Sequence, residues 1–181
     1  MDLAPGGDLK QKIERDGAYS VRDGAALLAA VAGGLAHVHK AGILHRDLKP
    51  ANILFDQAGA PKLVDFGLAH SEDWETLTRT GTMVGTPAYM PPEQARGDKA
   101  SLDERSDVYG LGAVFYYGLA RQPPGTGDII APRKLRGGIP RPIQDVCLRC
   151  LKHAPNERYP DAGGLAADLD AFIQTGPRRR R

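Results

Sequence analysis

The amino-acid sequence predicts an α+β fold that is mainly α-helical, with one small β element. Apolar residues recur at steps of three and four positions in both halves of the chain. Two short β-like runs, Ile53–Phe55 and Lys62–Val64, flank a turn signal at Asp56–Pro61. From Asp65 to roughly Arg105 we find no sustained periodicity, which is typical of a long functional loop. We therefore expect a helical core, one hairpin and a functional loop between the two halves.

The first half of the chain predicts two helices. Asp8 is a candidate N-cap for a short helix through Ile13. Ser20 and Asp23 have a spacing similar to that of a capping box, and an apolar stripe at helical spacing follows them before Gly42. The residues of this stripe are Leu27, Leu28, Val31, Leu35 and Val38.

The second half predicts three helices. The segment Ser106–Leu119 is strongly apolar, and Pro142 and Asp161 are start signals for the two helices that follow. Cys147 and Cys150 lie on the first of these and form a C-x2-C pair before His153. Zinc is one interpretation, but the chain has no second cysteine pair, so we favour a packed helical face.

The composition is that of a globular protein and excludes several classes. The 181 residues are 41% apolar and 25% charged, with a formal net charge of +2. Because the terminal arginines at 178–181 supply four positive charges, residues 1–177 carry −2, which argues against a nucleic-acid-binding body. The two cysteines and the lack of a hydrophobic leader after Met1 indicate a reducing, cytoplasmic compartment. The apolar stretches are shorter than the roughly 20 residues of a membrane helix, so no membrane span is expected.

The most informative segment is the run H-R-D-L-K-P-A-N at His45–Asn52. It resembles the catalytic loop of protein kinases, which reads H-R-D-L-K-P-x-N in the Ser/Thr class. Asp65-Phe66-Gly67 follows thirteen residues after Asn52, and Gly85–Tyr89 and Pro91–Glu93 stand where kinases carry further motifs. The resemblance runs from Met1 to about Thr175 and is closest to the bacterial, eukaryotic-like Ser/Thr kinases.

This resemblance implies ATP and Mg²⁺ as cofactors and a role for each loop residue. Asp47 is expected to accept or orient the proton of the substrate hydroxyl, and Lys49 to reach the γ-phosphate. Asn52 and Asp65 are expected to hold Mg²⁺, which prefers hard oxygen ligands. Gly67 gives the backbone the freedom to aim Asp65.

The resemblance also assigns residues to the acceptor site and to activation. Thr86 is expected to hydrogen-bond near Asp47 and Lys49 and to help seat the acceptor. Thr78 and Thr80 are the candidate activation-loop phosphosites, whose phosphate would pair with Arg46. Ordinary polar loop residues remain the alternative interpretation of these threonines. Weaker candidate phosphosites are Thr76 and Thr82.

Other residues that match the family have structural roles. Glu93 and Arg158 resemble the ion pair that ties the activation segment to the last helices. Asp107 resembles the buried aspartate that anchors the catalytic loop. His45 is expected to pack beneath Phe66 rather than to act as a base.

The adenine side of the expected nucleotide site falls at the start of the chain. Leu54 stands where kinases place a side chain under the adenine, and Met1 and Leu3 stand at the hinge. The sequence contains no G-x-G-x-x-G and no V-A-I-K segment, so the N-terminal β lobe of the family is missing. We therefore expect residues 1–181 alone to have very weak or no kinase activity.

The expected domain organisation follows from the same resemblance. Residues 1–176 form the C-terminal lobe of a kinase domain, with the helix region around 125–138 shortened, and residues 177–181 form a basic tail. A solvated tail is the favoured interpretation of these arginines, and the alternatives are a nucleic-acid patch or the flank of a following membrane helix. Expected partners are proteins with Ser/Thr acceptors and a second copy for trans-autophosphorylation. The alternative function is a non-catalytic protein-binding module, and a small-molecule phosphotransferase is more distant.

Overall fold

The computed structural model describes residues 6–66, 87–125 and 127–175. In that part of the chain the fold is mainly helical with one two-stranded sheet, as the sequence predicts. The helices are α1 (Leu9–Asp16), α2 (Val21–His39), α3 (Pro92–Ala95), α4 (Glu104–Ala120), α5 (Pro132–Leu135), α6 (Arg141–Cys150) and α7 (Ala162–Thr175). Single 3₁₀ turns occur at Pro50–Asn52, Pro87–Tyr89, Lys99–Ser101 and Pro155–Glu157.

The predicted helix starts agree with the caps that the structure contains. Asp8 caps α1 by accepting the N–H of Gln11 at 2.8 Å, and Ser20 caps α2 by accepting the N–H of Asp23 at 3.1 Å. Asp161 accepts the N–H of Gly164 at 2.8 Å at the start of α7. These side chains satisfy backbone donors that a first helical turn leaves unpaired.

The sheet consists of strands β1 (Ile53–Phe55) and β2 (Pro61–Leu63), which pair antiparallel. Ile53 lies opposite Leu63. The second strand begins one residue before the predicted run, because Pro61 pairs with Phe55. Strand β1 begins directly after the His45–Asn52 loop, so the hairpin holds the C-terminal end of that loop in place.

The core is built around α2 and α4. Helix α2 packs against α4 and α7, and α4 packs against α6. Almost every residue of α4 is buried, which explains why its sequence is apolar on all sides. By length and hydropathy α2 could also cross a membrane, but a core helix passes the same test, and Leu28, Val31 and Leu35 are buried in this core.

The segment without periodicity is more ordered than the sequence indicates. Between residues 87 and 105 it contains α3 and two 3₁₀ turns, which are too short to produce a periodic pattern. Residues 67–86 lie outside the described part of the chain. The 125–138 region contains one helical turn, α5, and Arg136 donates there to the carbonyls of Tyr19 and Leu119 at 2.9 and 3.1 Å.

Candidate active site

The loop between α2 and β1 is anchored by one buried carboxylate. Asp107, in the first turn of α4, accepts the backbone N–H groups of His45 and Arg46, each at 2.8 Å. Arg46 has a φ of 65°, a left-handed conformation that costs a non-glycine residue roughly 1–2 kcal/mol. Its carbonyl accepts from Nε2 of Gln94 at 2.9 Å. The loop is therefore held by Asp107 of α4 and by Gln94 of α3.

Two polar side chains of the loop converge on one carboxylate oxygen of Asp47. Lys49 Nζ lies 2.7 Å from Asp47 Oδ2, and Asn52 Nδ2 lies 3.1 Å from the same oxygen. Asn52 Nδ2 also donates to the backbone carbonyl of Asp47 at 2.8 Å. The side chain of Asp47 is 29% exposed and that of Lys49 31% exposed, whereas Asn52 is buried. The Asp47 carboxylate and the Lys49 ammonium group are therefore partly exposed to solvent, whereas the Asn52 amide that contacts Asp47 is buried.

The His45 ring holds the backbone of Asp47 through a hydrogen bond. The Asp47 N–H donates to His45 Nδ1 at 3.3 Å, so Nε2 carries the ring proton and donates to the Val64 carbonyl at 3.0 Å. Burial lowers the pKa of His45 below its usual value, although Asp107 acts in the opposite direction. The Phe66 ring lies 4.7 Å from the His45 ring. A neutral, fully buried imidazole with both nitrogens engaged serves packing and alignment.

Asp65 lies beside this loop at the end of the hairpin. The Val64 N–H donates to the Asn52 carbonyl at 3.1 Å, which brings the two segments together. Asp65 is exposed and has a φ of 58°, so its backbone leaves the strand direction abruptly. The Asp65 carboxylate and the Asn52 amide oxygen are hard oxygen donors of the kind that Mg²⁺ prefers. Within residues 6–66, 87–125 and 127–175, no group of three or more His, Cys, Asp or Glu could hold a metal ion.

The pair Glu93–Arg158 is buried and fully hydrogen-bonded. Arg158 Nη1 and Nη2 donate to Glu93 Oε1 and Oε2 at 2.7 and 2.9 Å, and Ser106 Oγ donates to Oε1 at 2.8 Å. Burial raises the pKa of Glu93, but the hydrogen bonds from Arg158 and Ser106 outweigh that effect, and the net pKa is lowered. The pair joins α3 to the segment that follows α6.

The sequence interpretation missed His39, the last residue of α2. Its Nε2 lies 2.8 Å from Asp107 Oδ2, and both side chains are 2% exposed. A histidine at the end of an apolar helix, six residues before His45, was the available signal. That position alone does not reveal the partner, because Asp107 lies 68 residues further along the chain.

The remaining predicted residues divide into two groups. Leu54 is half-buried in β1, and its backbone forms an antiparallel bridge with Asp8. Gly6 lies against this strand, where a Cβ would come within 2.6 Å of the Phe55 Cβ, so only glycine fits. The other predicted positions lie outside the described residues: Met1, Leu3, Gly67, Thr76, Thr78, Thr80, Thr82 and Thr86.

The two cysteines of the C-x2-C pair are buried and free. Burial raises the pKa of both thiols, that of Cys150 to about 12. Both side chains belong to the buried core, as expected for a packed helical face.

The chain is similar in sequence to known protein kinases. A profile of the protein kinase domain matches residues 1–160. Serine/threonine-protein kinase PknL of Mycobacterium tuberculosis is 39% identical over 96% of this chain and 46% of its own length. Serine/threonine-protein kinase PknB of Mycobacterium leprae is 37% identical over 93% of this chain and 29% of its own length. The chain therefore spans less than half the length of these curated relatives.

Proposed function

The chain belongs to the protein kinase family, and we propose that it forms the C-terminal lobe of a bacterial serine/threonine kinase. This lobe takes part in transfer of the ATP γ-phosphoryl group to Ser and Thr hydroxyls of proteins. The observation that carries the proposal is the convergence of Lys49 and Asn52 on Asp47 Oδ2. A carboxylate and a cation held within one short loop are the groups that phosphoryl transfer requires.

Asp47 acts on the acceptor hydroxyl in this proposal. Its half-exposed carboxylate accepts or orients the hydroxyl proton, while Asn52 keeps the carboxylate in one orientation. Lys49 then exchanges its contact with Asp47 for a γ-phosphate oxygen, as a point charge on a flexible stem can. Neither group forms a covalent intermediate, because positioning and charge neutralisation account for the catalysis.

Asn52 and Asp65 hold the metal in this proposal. The amide nitrogen of Asn52 is engaged by Asp47, which leaves the amide oxygen as the atom that can face a cation. The exposed carboxylate of Asp65 supplies the negative charge. When bound there, Mg²⁺ would supply positive charge that neutralises the phosphates of ATP.

The residues outside the described part complete the proposal. Thr86 seats the acceptor hydroxyl, and Thr78 or Thr80 takes the activating phosphate, which pairs with the exposed guanidinium of Arg46. The adenine lies against Leu54, with Met1 and Leu3 at the hinge. Modification of these threonines by a second copy of the chain requires self-association, and a cytoplasmic location supplies the ATP.

The test uses a chimera. The N-terminal lobe of the PknL relative is joined to residues 1–181, and transfer of radiolabelled γ-phosphate to Ser/Thr and Tyr peptides is measured beside the 181-residue chain alone. We expect Mg²⁺-dependent labelling of the Ser/Thr peptide by the chimera, and no measurable labelling by the chain alone. A folded chimera without transfer would contradict the proposal and favour the protein-binding module. Robust transfer by the chain alone would refute the expectation of weak activity.

A further inference from the structure

A groove of about 560 Å³ lies between α6 and α7, and none of its lining residues belongs to the candidate active site. Helix α7 buries Ala162, Leu165 and Leu169 in the core. It lines the groove with a different face, whose residues recur at steps of three and four positions. These residues are Asp168, Ala171, Phe172 and Thr175, and α6 lines the other side with Pro142 and Val146. Helix α7 therefore carries a second, largely apolar face that the described part of the fold leaves open.

The groove contains a carboxylate without a cation. Asp168 Oδ2 accepts from the Tyr159 hydroxyl at 2.7 Å, and among the described residues no lysine or arginine lies within ion-pair distance of Asp168. Arg149 of α6 stacks on Tyr159 instead, with its guanidinium carbon 4.0 Å from the ring centroid. An arginine suits such a groove, because its aliphatic stem packs on apolar surface while its guanidinium group stacks on an aromatic ring or pairs with a carboxylate.

The chain itself supplies an arginine-rich segment at the rim of this groove. Thr175 lines the groove and is also the last residue of α7, and residues 176–181 read G-P-R-R-R-R. A glycine followed by a proline is an order of residues that ends helices and lets the chain change direction. The four arginines carry four positive charges, whereas residues 1–177 carry −2. The charge of the segment is therefore complementary to Asp168 and to the rest of the chain.

The length of the segment matches the groove. Asp168 lies seven residues before Thr175 on α7, which is about 10 Å along the helix axis. An extended chain covers about 3.3–3.6 Å per residue, so the four arginines fall roughly 10–20 Å from Thr175. Because the segment is joined covalently to the rim, its effective concentration at the groove is on the order of mM, which favours it over a separate protein.

We propose that the groove between α6 and α7 is a binding site for an arginine-rich segment, and that residues 176–181 of the same chain occupy it. One arginine pairs with Asp168, and the aliphatic stems lie against Val146 and Phe172. The groove then holds the segment that follows α7 on the surface of the lobe. A partner that binds these arginines has to displace them from Asp168, so the groove limits access to the basic segment.

The test measures ¹⁵N relaxation of the 181-residue chain by NMR and follows the order parameters of the amides at 178–180. Wild type is compared with Asp168→Asn. Asp170→Asn is the matched control, because Asp170 is an exposed carboxylate on the same helix that does not line the groove. A further variant replaces all four arginines at 178–181 with serine, and the amide shifts of Val146 and Phe172 report whether the groove empties. This variant leaves the described fold unchanged in sequence, so it decides the question if Asp168→Asn does not fold.

We expect order parameters above about 0.6 at 178–180 in wild type and in Asp170→Asn, and values below this in Asp168→Asn. Trypsin should cleave within the segment about two- to fivefold more slowly in wild type than in Asp168→Asn, the range that one partly exposed ion pair provides. The Val146 and Phe172 amides should shift in the four-serine variant. Equal order parameters in wild type and Asp168→Asn, or unchanged Val146 and Phe172 shifts in the four-serine variant, would overturn the inference. Order that increases with protein concentration would also overturn it, because a second copy would then supply the segment.

These measurements need neither ATP nor catalysis. If the chimera fails to transfer phosphate while the order at 178–180 depends on Asp168, the proposed function fails and the inference stands. If transfer occurs and that order is independent of Asp168, the inference alone fails.

Discussion

Replacing Arg158 with methionine tests the buried ion pair that joins α3 to the segment after α6. Arg158 uses all five of its N–H donors: two on the Glu93 carboxylate, and three on the carbonyls of Lys152, Arg105 and His153 at 2.8, 3.0 and 3.0 Å. Arg158→Met removes every one of these bonds and keeps most of the aliphatic volume. Glu93, whose side chain is 1% exposed, is left buried without its cation.

The expected cost follows from that geometry. Removing one partner of a buried ion pair costs about 3–5 kcal/mol, because the remaining charge is neither solvated nor paired. For a chain of this size, 1 kcal/mol corresponds to about 2–4 °C in Tm, so we expect Arg158→Met to lower Tm by at least about 6 °C. Glu93→Gln/Arg158→Met removes the stranded charge and should recover part of the loss.

The assay is urea unfolding of wild type, both single variants and the double variant, analysed as a double-mutant cycle. The reasoning is refuted if Arg158→Met loses less than about 1 kcal/mol, or if the two substitutions are additive. The pH dependence provides a second check. The folded pKa of Glu93 is lowered, so its stabilisation is present above the unfolded value of about 4.3 and is lost as the pH falls through the folded pKa. The advantage of wild type over the double variant should therefore shrink in acid.

Three further predictions concern packing and reactivity. Tyr19→Phe should raise stability by about 1 kcal/mol in urea unfolding, because the Tyr19 hydroxyl is buried and has no hydrogen-bond partner among the described residues. A loss of stability would reveal a hydrogen bond that these residues do not supply. Gly110→Ala should lower the free energy of unfolding by about 1–3 kcal/mol, because its Cβ would lie 2.8 Å from the Leu48 Cβ in the catalytic loop. Gly33→Ala on α2 is the control and should be neutral or stabilising, because a Cβ there meets open space. Equal effects of the two substitutions would contradict this prediction. Both cysteine thiols are buried with raised pKa values, so iodoacetamide should label neither in the folded chain and both in urea, and labelling of the folded chain would show that α6 opens.

Local chemistry explains what the sequence could predict. Asp8, Ser20 and Asp161 cap the helices that they precede, since a cap acts within three residues of itself. Composition and a turn signal predict both strands, and β2 lies one residue earlier at both ends, at Pro61–Leu63, than the predicted run Lys62–Val64. These features depend on neighbours in the chain, which a sequence displays directly.

Tertiary contacts explain what it could not predict. The contact between His39 and Asp107 forms only after α2 and α4 pack together. The helical turn of α3 is too short for periodicity and depends on the burial of Glu93 against Arg158. The candidate catalytic residues were found through a family motif rather than through local pattern, and the structure brings Asp47, Lys49 and Asn52 together.

The role of Asp47 is the central claim, and it is tested most directly by the rate of γ-phosphate transfer in the chimera. Asp47→Asn keeps the shape of the side chain and removes its charge, and Asp56→Asn is the matched control in the nearby hairpin turn, where the carboxylate accepts from the backbone of Ala58 and Ala60. We predict that Asp47→Asn lowers the rate by about 10²-fold or more, and that Asp56→Asn leaves it within about twofold. A chimera that transfers phosphate equally well without the Asp47 carboxylate would contradict the account.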